Sequence, residues 1–122
     1  MIEHVSIPVK DVSKAKKFYA AALAPLGYKL TQEYDDAAGF KEGGHTSFWI
    51  GKEKKPQATH IAFRARGKSV VAAFHKAALA AGGKDNGAPG YRDYSPGYYA
   101  AFVHDADGNN IEAVWFDSAK KK

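Results

Sequence analysis

His4-Val5-Ser6-Ile7-Pro8-Val9 and His60-Ile61-Ala62-Phe63-Arg64-Ala65 decide the fold, because the second stretch repeats the plan of the first 56 residues further on. In the first, Val5, Ile7 and Val9 alternate with His4, Ser6 and Pro8, the two-residue period of a strand buried on one face. At the same offset Phe18 falls on Phe74, Ala21-Ala22-Leu23-Ala24 on Ala77-Ala78-Leu79-Ala80, and Gly27 on Gly83. The chain reads as an internal duplication, each copy led by a histidine on the strand face opposite its apolar residues. Two such copies can bring both histidines to one seam, which is a way to assemble a metal site from distant residues.

Outward from the first strand, Asp11 or Ser13 is placed to cap a helix. Ala15, Phe18, Tyr19, Ala22 and Leu23 then recur at helical spacing until Pro25 and Gly27 stop it. Strands over 28–34, 38–42 and 46–50, with turns at Asp35-Asp36 and Gly43-Gly44, complete a βαβββ module. The second module starts with a strand over 60–65 and a helix capped by Ser69, with Val70, Phe74, Ala77, Ala78 and Ala81 as its buried stripe. Residues 85–97, rich in Gly, Pro and Asn, read as a longer loop with at most a short strand. Tyr98–His104 and Asn110–Phe116 read as a hairpin, since Asp107-Gly108 between apolar runs supplies the positive φ of a tight turn. The expected fold class is α+β, two tandem βαβββ modules forming a cupped mixed sheet. Residues 1–122 make one domain: module one about 2–50, linker 51–58, module two about 59–116 and a basic tail 117–122.

Composition narrows the functions. A chain of 122 residues and 13.2 kDa suits one core, and 45% apolar with 25% charged residues argues against disorder. The lack of cysteine excludes disulfides, thiolate metal ligands and a cysteine nucleophile, so any metal must be held by nitrogen and oxygen. No apolar run approaches the roughly 20 residues of a membrane span, and no basic leader precedes an apolar stretch; a cytoplasmic protein is the expectation. The net charge of +5 is spread over a helix (Lys14, Lys16, Lys17), the linker (Lys52, Lys54, Lys55) and the tail, a pattern of solvated lysines that does not suit nucleic acid.

Glu112 stands in mid-strand between Ile111 and Ala113, where an unpaired carboxylate is costly to bury, so it needs a partner. His4 and His60 are the matching nitrogen donors, and two imidazoles with one carboxylate suit Zn, Mn, Fe(II) or Ni. Taken singly, a strand histidine is more often a packed or surface residue and a mid-strand Glu an ion-pair partner; the shared repeat position of the histidines shifts the balance toward a metal. Trp49, Tyr94, Tyr98 and Phe116 can wall a pocket, and Arg92 can hold an anionic group. His75 reads as solvent-facing beside Lys76, and Ser47 lacks the His/Asp relay a nucleophilic serine needs.

Glu3-His4-Val5-Ser6-Ile7, Phe18-Tyr19, Thr59-His60-Ile61-Ala62-Phe63 and Asp105-Ala106-Asp107-Gly108-Asn109-Asn110-Ile111-Glu112 together resemble the vicinal oxygen chelate superfamily. That superfamily includes glyoxalase I, bleomycin-resistance proteins, fosfomycin-resistance transferases and extradiol dioxygenases. The resemblance spans residues 2 to 116 and is most specific in the last segment, where Ala106 stands in place of the more usual proline. It implies paired modules around one divalent metal that chelates vicinal oxygens of a small-molecule substrate, with His4, His60 and Glu112 as ligands. Parity with His45 and Trp49 puts Ser47 at the family's fourth position, where glyoxalase I carries a carboxylate or an amide. A serine hydroxyl cannot act as that base unaided, which disfavours glyoxalase I chemistry itself. The resulting expectation is a metal-dependent enzyme of the glyoxalase/dioxygenase type with Ser47, Trp49, Arg92, Tyr94 and Tyr98 toward the substrate. The alternative is a metal-free sequestering protein of the bleomycin-resistance type. A homodimer is also expected, with the 85–97 segment closing over the site.

Overall fold

The computed structural model describes residues 2–120 and contains two four-stranded mixed sheets and two helices. In chain order the elements are β1 (Val5–Val9), α1 (Val12–Leu23), β2 (Lys29–Glu33), β3 (Ala37–Glu42), β4 (His45–Lys52), β5 (His60–Arg64), α2 (Lys68–Ala80), β6 (Lys84–Tyr91), β7 (Tyr98–His104) and β8 (Asn110–Phe116). The first sheet runs β1-β4-β3-β2 and the second β5-β8-β7-β6, so the two modules share one topology. In each, the leading strand pairs parallel with the last, Ser6 opposite Trp49 and Ala62 opposite Glu112, while the other pairs are antiparallel. A parallel neighbour needs a crossover, and the helix supplies it.

The alternation read from the sequence sets the layers. Ile7, Val9, Phe40, Phe48 and Ile50 face α1, whose Phe18, Tyr19, Ala22 and Leu23 are buried against them. Phe63, Val103, Ile111 and Ala113 meet Val71, Phe74 and Ala78 of α2 in the same way. These residues form one continuous core across both modules, joined by edge-on contacts of Phe63 with Phe48 and Tyr28. The helix-covered faces thus serve the core, and the opposite face of each sheet has no helix over it.

A buried polar latch ties the modules. Asp105 accepts hydrogen bonds from the Tyr19 hydroxyl, the Asn109 side-chain amide and the backbone N–H groups of Asp107 and Asn109. Asn109 in turn donates to the Pro8 carbonyl and accepts from the Thr59 N–H. Gly108, with φ of 83°, closes the turn as its Asp-Gly sequence predicts.

Asp11 caps α1 by accepting from the Lys14 N–H. The second helix departs from expectation: Gly67 is its N-cap, no side chain caps it, and Ser69 lies inside it. Residues 84–91 form an eight-residue strand in place of most of the predicted loop. Gly and Pro weaken strand propensity there, but β6 is an edge strand with irregular pairing, and an edge tolerates both. His75, read as solvent-facing, is largely covered and pairs through Nε2 with Asp85 at 3.0 Å. Of the predicted tail, Ser118–Lys120 is a single 3-10 turn, and Lys121 and Lys122 lie outside the described residues.

Candidate functional site

Glu112 is 2% exposed on the face of β8 turned away from the core. Its neighbours across the sheet are Ala62 on β5 and Phe102 on β7. Both carboxylate oxygens are engaged: His60 Nε2 lies 3.0 Å from Oε1, and the Tyr98 hydroxyl donates to Oε2. Burial, with the Glu112 bond and charge adding to it, pushes the Tyr98 phenol up to about 12. Tyr98 therefore stays a donor at neutral pH.

The His60 ring is oriented by the backbone. Its Nδ1 is 2.9 Å from the Asn110 carbonyl oxygen, which can only accept, so Nδ1 carries the proton and Nε2 is turned toward Glu112. Tethering one ring nitrogen to a carbonyl is the usual way a metal-ligating histidine is held, so His60 and Glu112 present a donor pair of the right chemistry. His4 repeats this half-exposed and less firmly held: its Nδ1 contacts the Glu3 carboxylate, holding Glu3 below its ordinary pKa, and its side chain is 55% exposed. The Glu3 carbonyl oxygen also accepts from His45 Nε2 at 2.8 Å.

His4 and His60 border one groove between the leading strands, with Tyr28 and Ser47 also on its walls. Among the described residues, however, no group of three His, Asp or Glu side chains converges as a metal set. The structure brings Glu112, His60 and Tyr98 together and leaves His4 apart from Glu112. Tyr94 packs edge-on against Tyr98, and Arg92 lies over Phe102, whose ring also faces His60. Trp49 lies on the first sheet, stacked on Tyr34. A bulge between Phe40 and Lys41 breaks the alternation that predicts Ser47 beside Trp49; Thr46 and Trp49 are the side chains over Gly39, while Ser47 borders the groove.

Sequence reasoning missed three participants. The Asn110 carbonyl is a backbone group with no residue signature. Phe102 stands opposite Glu112 only through the β7–β8 register. Arg64, which borders the groove and lies over the Phe116 ring, shares parity with His60 on β5, and that alternation was a usable signal.

The paired modules place a histidine–carboxylate pair on an uncovered sheet face of a duplicated βαβββ scaffold. The profile of the Glyoxalase/Bleomycin resistance protein/Dioxygenase superfamily matches residues 1–113, and the chain belongs to that superfamily. Among solved structures, a glyoxalase/bleomycin resistance protein from Albidiferax ferrireducens is 31% identical, with a TM-score of 0.80 over 93% of this chain and 96% of that one. A family enzyme from Burkholderia phytofirmans, at 18% identity and TM-score 0.75 over 95% and 98%, shares the fold. So does a lactoylglutathione lyase from Agrobacterium tumefaciens, at 17% identity and TM-score 0.72 over 94% and 92%. No curated protein matches the chain significantly. No helix among the described residues is long and apolar enough to cross a membrane.

Proposed function

We propose that this chain is a metal-dependent small-molecule enzyme of the glyoxalase/dioxygenase type, acting as a homodimer. The observation that carries the reading is the buried Glu112 facing a His60 whose Nδ1 is tied to the Asn110 carbonyl. His60, Glu112 and His4 would hold one divalent ion (Zn, Mn, Fe(II) or Ni), which supplies Lewis-acid polarisation of an oxygenated substrate. Tyr98 holds the Glu112 carboxylate in place, and Phe102 and Tyr94 keep water from its apolar side.

The third ligand is His4 of a second copy. Within one chain the helix-covered faces share a core, so neither uncovered face closes over the other, and a two-fold partner can set the first sheet of one copy against the second sheet of the next. The test is metal content after dialysis against zinc, with His4→Ala, His60→Ala and Glu112→Ala as variants. Each alone should fail to retain zinc, and a refolded mixture of His4→Ala with Glu112→Ala should regain part of it through mixed dimers. Full zinc retention by all three variants would sink the metal reading. A mixture as empty as its parents, with the single variants zinc-free, would place the site within one chain.

A metal-free sequestering protein is the second reading. It is favoured by the contacts Glu112 already has within the chain: the Tyr98 hydroxyl donates to Oε2, and His60 Nε2 lies 3.0 Å from Oε1.

A further inference from the structure

Among the described residues three tyrosines donate to carboxylates, and the three acceptors are filled differently. Asp105, which accepts from Tyr19, has both oxygens taken by protein donors, the other three being the Asn109 amide and two backbone N–H groups. Asp117, which accepts from Tyr91 at 2.6 Å, is only partly buried. Glu112 alone is buried and one-sided: Oε2 accepts from Tyr98, while Oε1 meets only His60 Nε2, at 3.0 Å.

The open side is the one a cation can reach. The His60 side chain is half-exposed, so Oε1 is approached from solvent past the imidazole. With the ring proton on Nδ1, toward the Asn110 carbonyl, Nε2 and Oε1 turn lone pairs toward one another.

The closed side is built by strand register. Tyr98, Ala100 and Phe102 share one face of β7, opposite Phe116, Val114 and Glu112 of β8. Tyr98 thus starts four residues along the sheet from Glu112 and reaches it by lying along the surface. The small Ala100 leaves room for this, and the Tyr98 ring packs on the cluster of Ala100, Phe102 and Val114. Tyr94 and Phe116 grip the ring edge-on at 5.0 and 5.3 Å. A hydroxyl on a ring so held has little freedom, and the carboxylate cannot turn without leaving it.

We propose that Tyr98 is the positioning residue that makes Glu112 a one-oxygen ligand: its hydroxyl reserves Oε2 and leaves Oε1, beside His60 Nε2, as the oxygen offered to a divalent ion. The inference rests on the metal reading above and deepens it by assigning the two carboxylate oxygens different tasks. A donor that holds a ligating carboxylate from behind contributes to metal affinity without touching the metal.

The test measures zinc affinity by competition with a chromophoric chelator, and the visible spectrum of the cobalt(II) form, on the full chain and two variants. Tyr98→Phe, which keeps the packed ring and removes only the donor, should weaken zinc binding about 10- to 100-fold. Its cobalt bands should also change in position and weaken, since a freed Oε2 raises the coordination number. Tyr91→Phe, which removes a comparable bond to a carboxylate elsewhere, should leave affinity and spectrum as in the parent. Circular dichroism confirms folding. If Tyr98→Phe is unfolded, the parent carries the test through zinc-induced infrared difference spectra with labelled glutamate, where one-oxygen ligation gives widely separated carboxylate stretches. Unchanged zinc affinity in Tyr98→Phe, lost affinity with an unchanged cobalt spectrum, or closely spaced stretches in the parent would overturn the role of Tyr98 and leave the metal reading standing. A parent chain that retains no zinc or cobalt would overturn both.

Discussion

The two modules start from the same plan and finish with different chemistry. In module one the leading histidine, His4, sits half-exposed against Glu3, itself on the surface. In module two His60 is fixed by a backbone carbonyl and faces a carboxylate buried to 2% exposure. A duplicated strand supplies a histidine twice, but only the second copy has a last strand that places an acid beside it. The same divergence marks the glycines. Gly27 and Gly83 coincide in the repeat, yet Gly27 takes a left-handed φ of 92°, whereas in module two that role belongs to Gly82 at 103°. Gly83 is needed for space, since a Cβ there would lie 2.4 Å from Val103 and 2.9 Å from Phe18. The repeat has slipped by one residue because a 3-10 turn, Ala24–Leu26, follows α1, while α2 has none.

If module two dominates the site, substitutions there should be the more damaging. Glu112→Ala should abolish zinc retention, whereas Glu3→Ala, which only loosens the His4 ring, should weaken it by no more than about ten-fold. Metal analysis across a zinc dilution series distinguishes the two, and equal losses would break the asymmetry. The latch joining the modules should give the largest loss of stability. Asp105→Ala strips acceptors from Tyr19 and Asn109 and should cost about 3 kcal/mol in urea unfolding. Gly83→Ala should cost about 2 kcal/mol through overpacking. Gly27→Ala should cost about 1 kcal/mol through backbone strain, so a reversed order would mean that the glycines have been assigned the wrong roles.

Two pH effects sharpen the comparison further. Burial and Asp105 raise the Tyr19 phenol above its ordinary value. Folding therefore favours its protonated form, a contribution complete below about pH 10 and lost as pH rises beyond it. Tyr19→Phe should remove that alkaline loss from a stability–pH curve. The His75 and Gly87 contacts hold the Asp85 carboxyl below its ordinary value, so its contribution is present above about pH 4 and fades as pH falls further. Asp85→Asn should flatten the acid limb slightly, the smallest of these effects because the Asp85 carboxylate is exposed to solvent.

The sequence alone determined both helices and every strand except β6, the hairpin over Tyr98–His104 and Asn110–Phe116, and the isolation of Glu112 among apolar neighbours. These are consequences of local periodicity and turn chemistry, which neighbouring residues encode. Tertiary structure decided what periodicity cannot carry. Strand β6 exists because β7 offers it a partner, despite a composition that favours a loop. A bulge parted Ser47 from Trp49, since one extra residue reverses the side of the sheet that follows. His60 met Glu112, and His4 did not, because contact across a sheet depends on register and on the packing of the two modules, distances that no spacing along the chain records.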